Sequence, residues 1–237
     1  MPAKPDSEIQ RVLVIAAHPD DADFGVSGTI ASWCRAGLEV TLLCVTRGEQ
    51  GAPADADLDA VPAVREAEQR AASAQLGCTD VRFLDGFRDG WVEPTFELQR
   101  EIVRVIREVR PQRVVCQSPE RWYDRIQASH PDHLAAGEAA VRASYPAAEN
   151  PHAFPELDLP HWHVGEIWLY AHPEADHVVD ITDTFAAKLA ALRAHVSQTA
   201  HRDDLEEFLK IRSEITAQAF NLPEGRLAEQ FKVLPLN

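Results

Sequence analysis

The sequence lacks several features that would place it in common functional classes. It has no block of basic residues, and its formal net charge of −15 argues against nucleic-acid or anionic-membrane partners, which favour a basic surface. No run approaches the roughly 20 apolar residues that a bilayer-spanning helix requires. The N-terminal segment has no apolar core of the kind found in signal peptides, so we expect a cytoplasmic protein.

Cysteine is also scarce. None of the four cysteines forms a C-x-x-C pair, so we expect reduced thiols, neither a disulfide framework nor a thiolate metal site. What the sequence has is an ordinary globular composition, with 45% hydrophobic and 26% charged residues. We find no repeat and no linker, and therefore expect a single domain over residues 1–237.

Short apolar runs alternate with amphipathic stretches along the chain. The runs are typical of strands buried on both faces, and the stretches have helical spacing. This alternation predicts an α/β fold: a Rossmann-like, doubly wound, mostly parallel sheet with helices on both faces. The predicted strands are 11–17, 39–45, 81–84, 113–116, 166–170, 177–179 and 231–234. The predicted helices are 29–36, 61–76, 96–109, 132–144, 185–196 and 203–220.

The first predicted strand ends in a polar segment, His18-Pro19-Asp20-Asp21. In open α/β sheets, ligands bind beyond the carboxyl ends of the strands, where this segment lies. A dinucleotide-binding loop would carry G-x-G-x-x-G at this point. One aspartate could cap the following helix, but capping needs neither the histidine nor the second acid. Metal ligation by an imidazole and a carboxylate is the competing interpretation.

A similar segment, Ser129-His130-Pro131-Asp132-His133, follows the fourth predicted strand. Ser129 and Asp132 could form a capping box, which again leaves the histidines unexplained. Both histidines lie on one helical turn, and spacing alone does not decide which of them binds an ion. A site of imidazole and carboxylate without thiolate suits Zn²⁺, with Fe²⁺ or another divalent metal as alternatives.

These segments resemble the PIG-L/LmbE family of zinc-dependent N-acetylglucosaminyl deacetylases. The similarity includes AHPDD at 17–21, TRGEQG at 46–51, REAEQRAASAQLG at 65–77, SHPDHLAAG at 129–137 and DITDTFAAKLAALRAHVSQ at 180–198. The sequence departs from the family at Ala22, where relatives often carry glutamate, and at Ser27, where relatives often have a first glycine. The resemblance implies removal of the N-acetyl group from an N-acetylglucosamine-type small molecule.

The resemblance also implies a division of roles between the two segments. His18, Asp21 and His133 would be metal ligands, and Asp20 would be the base that activates a metal-bound water. His130 would act as the acid or stabilise the oxyanion. Lowering the pKa of a bound water and polarising a carbonyl are the established contributions of such an ion.

Five further residues are candidates. Asp132 would tune a neighbouring histidine, and Arg47 matches a position that contacts the sugar in relatives. Arg47 and Glu49 follow the second predicted strand, which favours substrate contact. His172, directly after a predicted strand, and His195, in a segment similar to the family, are candidates for supporting the ligands.

Two other functions fit the same residues less well. One is an amidase that acts on a thiol conjugate or another small amide. The other is a non-catalytic carbohydrate-binding module, which would not need Asp20. Many relatives self-associate, so we include a homo-oligomer among the expectations.

Overall fold

The protein is described by a computed structural model that covers residues 3–236 except 53 and 55. Its strands are β1 (Arg11–Ala16), β2 (Glu39–Cys44), β3 (Asp80–Phe83), β4 (Arg113–Gln117), β5 (Glu166–Tyr170), β6 (His177–Asp180) and β7 (Ala228–Pro235). Its helices are α1 (Asp21–Arg35), α2 (Val61–Leu76), α3 (Phe96–Val109), α4 (Pro131–Arg142), α5 (Phe185–Ala194), α6 (Val196–Thr199) and α7 (Leu205–Ala219).

The seven strands form a mixed sheet in the order β3-β2-β1-β4-β5-β7-β6. The first five strands pair in parallel, whereas β7 is antiparallel to both β5 and β6. The predicted α/β, mostly parallel, Rossmann-like sheet is therefore confirmed. The strand order reverses between β1 and β4, and a crevice for ligands opens at the carboxyl ends of two such strands.

Strand β1 shows why its sequence is apolar without alternation. Leu13 and Ile15 belong to the core on one face of the sheet, whereas Val12, Val14 and Ala16 belong to the core on the other face. Successive side chains of a strand point to opposite faces, so a strand covered on both sides needs apolar residues throughout. Each buried aliphatic side chain of this size contributes roughly 1.5–3 kcal/mol.

Helix α1 begins at Asp21, not at the predicted residue 29. The two glycines of this stretch conceal the helix in the sequence, because glycine is a poor helix former. Close packing explains both of them. A Cβ atom at Gly25 would lie 2.8 Å from the ring of Tyr170, and one at Gly28 would lie 2.8 Å from Ile181. Tertiary contact therefore overrides local propensity here.

Two other predicted boundaries were wrong. The predicted helix 185–196 is interrupted at His195, whose φ of −81° and ψ of 65° lie outside the helical region. Strand β7 is longer than the predicted 231–234 because it pairs on both sides, with β5 and with β6. The interruption at His195 matters for the site, because His195 contacts Asp23 in the first turn of α1.

All four cysteines are free. Burial raises the pKa of Cys116 to about 12, and it is also the main reason why the pKa of Cys78 is raised to about 12. These thiols are therefore protonated at neutral pH and are poor metal ligands. Within the described ranges, no helix combines the length and the hydropathy needed to cross a membrane.

Candidate metal centre and active site

The two polar segments meet at the carboxyl ends of β1 and β4. The carboxylate of Asp21 lies between two imidazoles: Oδ2 is 3.2 Å from Nδ1 of His18, and Oδ1 is 3.0 Å from Nε2 of His133. One donor atom from each of these three residues lies within 4.8 Å of the other two. Two imidazoles and a carboxylate that converge in this way fit a divalent ion with open coordination positions.

A second group of donors shares His18 and adds His130 and Asp132. The carboxylate Oδ2 of Asp132 lies 3.2 Å from Nε2 of His18 and accepts the backbone N–H of Gly90 at 2.7 Å. His130 is the N-cap of α4, and its Nδ1 accepts the backbone N–H of Asp132 at 3.2 Å. This bond assigns the proton of neutral His130 to Nε2, which leaves that N–H free to donate.

Three carboxylates surround the imidazole of His18. Besides Asp21 and Asp132, Oδ1 of Asp89 lies 2.9 Å from Nε2 of His18. Burial disfavours the charge on His18, but the three acids outweigh it and raise the pKa of His18 to about 12. Burial likewise disfavours the charge on Asp21, but His133 and His18 hold its pKa well below the usual range. The site thus attracts positive charge, as a cation site must.

Asp20 is held apart from this cluster by its backbone. Its φ of 81° lies in the left-handed region, where a residue with a Cβ atom needs support from its surroundings. The support comes from α2: Oε1 of Gln69 accepts the backbone N–H of Asp20 at 2.8 Å, and Arg65 donates to its Oδ2 at 3.2 Å. Burial, and next the charge of Asp21, raise the pKa of Asp20 to about 7.

The capping interpretations of both segments are wrong. Asp20 is the N-cap of α1 by position, but its side chain makes no capping hydrogen bond. At the second segment the cap is His130, because the hydroxyl of Ser129 instead accepts the backbone N–H of Trp122 at 2.7 Å. The capping box between Ser129 and Asp132 therefore does not form.

A buried polar chain lies behind Asp20. Nε2 of Gln69 donates to Oδ2 of Asp23 at 2.7 Å, and Nε2 of His195 lies 2.9 Å from the same oxygen. His195 and Asp23 are almost completely buried. His195 thus contacts neither imidazole of the metal group and reaches Asp20 through Asp23 and Gln69. Ala22, where the sequence departs from the family, packs in the apolar core.

The loop after β3 carries Asp89, which was not among the candidates from the sequence, and residues of the loop after β2 hold it. Oε1 of Glu49 accepts the backbone N–H of Asp89 at 3.0 Å, and Gln50 donates its backbone N–H to Oδ2 of Asp89 at 2.8 Å. Glu49 therefore holds the loop that aims Asp89 at His18. Arg47 is half-buried and pairs with Glu66 at 3.2 Å and with the exposed Asp85 at 2.9 Å, and it belongs to neither group of donors.

His172 lies outside both groups of donors. It is buried in the turn after β5, where its Nδ1 accepts the backbone N–H of Glu174 at 2.9 Å. Its Nε2 lies 3.5 Å from Glu120. Both ring nitrogens of His172 therefore contact residues other than the proposed metal ligands, and the histidine stabilises a turn.

The family model that matches this chain is PIG-L, described as GlcNAc-PI de-N-acetylase, over residues 13–144. A 1D-myo-inositol 2-acetamido-2-deoxy-α-D-glucopyranoside deacetylase of Streptomyces avermitilis is 36% identical over 67% of this chain, and the match spans 60% of that relative's length. A probable N-acetyl-α-D-glucosaminyl L-malate deacetylase 2 of Bacillus subtilis is 34% identical, over 89% of this chain and 94% of its own.

Among solved structures, the N,N'-diacetylchitobiose deacetylase of Pyrococcus horikoshii superimposes with a TM-score of 0.88 at 27% identity. The match covers 98% of this chain and 86% of that one. The residues matched by the family model include both His-Pro-Asp segments. Because that model matches more than half of the sequence and the folds agree, the chain belongs to the PIG-L family.

Proposed function

We propose that this protein is a metal-dependent hydrolase that removes the N-acetyl group from an N-acetylglucosamine-type small molecule. The observation that carries the proposal is the placement of Asp21 between His18 and His133, with a second carboxylate, Asp20, held beside it by a different set of contacts. The activities in the names of the relatives support it, since each named relative is a deacetylase.

His18, Asp21 and His133 would hold the ion, for which we propose zinc. Their donor chemistry fits, because the set contains nitrogen and oxygen ligands without sulfur; Fe²⁺ shares this preference. When bound, such an ion lowers the pKa of a coordinated water toward about 7 and polarises a carbonyl oxygen.

The chain's own residues would handle the protons. Arg65 holds Oδ2 of Asp20, which leaves Oδ1 to take a proton from the attacking water. Nε2–H of His130 would donate to the acetyl oxygen as negative charge develops there. The water oxygen bonds to the acetyl carbon, the C–N bond then breaks, and the proton on Asp20 passes to the leaving amine nitrogen. The acetic acid formed passes its remaining proton to the amine, so the products are acetate and the ammonium form of the amino sugar, and atoms and charges balance.

Chelation and reconstitution test the proposal. We expect the chelated protein to release no acetate from a panel of N-acetylglucosaminides, and added Zn²⁺ to restore release. Release of acetate at the same rate without any metal would contradict the proposal. Cleavage of a thiol conjugate without acetate release would support the amidase instead, and sugar binding without any hydrolysis would support a carbohydrate-binding module.

We also propose that residues 1–237 form one domain. The support is the position of β7, which comes from the end of the chain and pairs with β5 of the parallel sheet. A single cooperative unfolding transition, seen by fluorescence and by circular dichroism at the same urea concentration, is the expected result.

A further inference from the structure

Two arginines line the same cavity as two of the proposed metal ligands. The cavity has a volume of about 790 Å³, and its walls include Asp21, His133, Arg125 and Arg212. Arg125 belongs to the 3₁₀ turn Tyr123–Ala128, and Arg212 lies on α7. In the part of the chain that the structure describes, no carboxylate lies within 4.0 Å of either guanidinium.

Neither arginine is therefore neutralised by an acidic side chain of the described residues, although both line the cavity that includes two of the proposed metal ligands. Both side chains are half-buried. Burial foremost, and then the positive charges of Arg125 and Arg202, lower the pKa of Arg212 to about 10. Burial also lowers the pKa of Arg125. A partly buried cation beside another cation is stabilised by a bound anion.

The other charges on the cavity wall are already balanced. Oε1 of Glu229 accepts from Nζ of Lys188 at 2.7 Å, and Oε2 accepts the backbone N–H of Thr29 at 2.8 Å. Asp21 lies between its two histidines. The arginines therefore carry the unbalanced charge of the cavity.

Aromatic rings hold both guanidinium groups. Arg125 lies over the ring of Trp122 at 5.7 Å, and Arg212 lies over that of Phe208 at 5.4 Å. Stacking of this kind restricts a guanidinium while leaving its edge free to donate hydrogen bonds. Less side-chain freedom is then lost when an anion binds.

We propose that Arg125 and Arg212 form a subsite for an anionic group, a carboxylate or a phosphate, on the part of the substrate that is linked to the N-acetylated sugar. The inference rests on the proposed function, because the acetyl group at Asp21 and His133 sets the direction in which the rest of the substrate extends along the cavity. Guanidinium groups bind both anions through paired hydrogen bonds. Malate, in the name of the Bacillus subtilis relative, is one source of such carboxylates.

The test compares charged and neutral substrates. The substrates are N-acetylglucosaminyl malate, N-acetylglucosamine 1-phosphate and the neutral methyl N-acetylglucosaminide. We expect Arg212→Gln and Arg125→Gln each to lower the ratio of kcat/KM for charged over neutral substrates by about 10- to 100-fold. Arg212→Lys should keep a larger part of this ratio than Arg212→Gln does, because lysine keeps the positive charge but lacks the paired N–H donors of a guanidinium group. The charged substrate with the higher kcat/KM in the wild type shows whether the subsite binds a carboxylate or a phosphate.

The matched control is Arg193→Gln. Arg193 is an exposed arginine that pairs with Glu206 at 3.0 Å and is not part of the cavity wall. We expect this variant to keep the wild-type ratio. A ratio that is the same in wild type and in Arg212→Gln would overturn the subsite, as would an equal loss in Arg193→Gln.

A direct binding measurement separates this inference from the proposed function. If the wild type releases acetate from none of the sugars, the proposed function fails, and calorimetric titration with malate and with inorganic phosphate decides the subsite alone. Binding that is lost in Arg212→Gln supports it, and equal or absent binding overturns it. Light scattering tests whether the arginines instead bind a carboxylate of a second copy of this chain. If Arg212→Gln changes the molar mass in solution but not the ratio of kcat/KM for charged over neutral substrates, they do, and the proposal is wrong.

Discussion

The two His-Pro-Asp segments have nearly the same residues and different backbones. In the first, Pro19 precedes the helix, Asp20 is left-handed, and α1 begins at Asp21. In the second, His130 is the cap and Pro131 opens α4. The residue that follows each His-Pro-Asp triplet, Asp21 or His133, nevertheless reaches the same group of donors.

The aspartates of the two His-Pro-Asp triplets, Asp20 and Asp132, differ most in their surroundings. Burial raises the pKa of Asp20 to about 7, and its contacts are with Arg65 and Gln69 of α2. Burial also disfavours the charge on Asp132, but hydrogen bonds from His18 and from the backbone of Gly90 lower its pKa. One sequence pattern thus supplies a carboxylate suited to accept a proton and another that stays ionised, because the surrounding elements differ.

The largest effect is expected for His133→Ala, which removes the contribution of the second segment to the ion site. We expect the wild type to bind about one divalent ion per chain, and the variant to lose this ion and with it acetate release. Metal analysis after desalting checks this. His163→Ala is the matched control, because His163 is exposed and pairs with Glu149 at 2.7 Å. A His133→Ala protein that retains metal and activity would remove His133 from the ligands.

His130→Ala should break the second segment in a different way. We expect the metal to stay bound and kcat to fall by about 10²–10³, as when one oxyanion donor is removed. Because His130 also caps α4, His130→Ser is the control: serine restores a cap but carries no imidazole N–H. If His130→Ser recovered the wild-type kcat, His130 would have a capping role alone.

Gln69→Leu tests the support of the first segment. The variant removes the hydrogen bonds to the backbone of Asp20 and to Asp23, and we expect kcat to fall by about 10- to 100-fold while the metal content is unchanged. Gln75→Leu, at an exposed position of the same helix, is the control. Equal kcat values for the two variants would show that the left-handed turn at Asp20 holds without Gln69.

The smallest effect is expected for Pro131→Ala. Pro131 occupies the first turn of α4, where its fixed φ suits a helix, so its removal mainly frees the unfolded chain. We expect a loss of about 0.4–1 kcal/mol in the free energy of unfolding, measured with urea. A loss well above this range would mean that Pro131 also makes contacts that the helix needs.

The strand pattern and the first His-Pro-Asp segment were accessible from the sequence because both are local: β1 is apolar on both faces, and His18 comes just after it. The second segment lies beyond the 3₁₀ turn Tyr123–Ala128 that follows β4, so the choice of His133 as a ligand depended on the resemblance to the family. The start of α1 was missed because Gly25 and Gly28 are explained only by their contacts with Tyr170 and Ile181.

The supports of Asp20 and His18 were also missed, for a related reason. Arg65 and Gln69 lie one turn apart on the face of α2 that includes the buried Ala72 and Leu76. Two long polar side chains in an apolar stripe were a usable signal that the face meets a polar site. Asp89 gave no such signal, because only the folding of two loops brings it to His18.

The most direct test of this account is Asp20→Asn, with metal content and acetate release measured on the same sample. We expect the variant to keep its metal and to lose about 10²–10⁴-fold in kcat, because it lacks the proton acceptor but retains the three metal ligands. Asp158→Asn is the matched control, since Asp158 is also left-handed, with a φ of 50°, but is exposed. An Asp20→Asn protein that keeps the wild-type kcat, or loses its metal, would contradict the division of roles between Asp20 and Asp21.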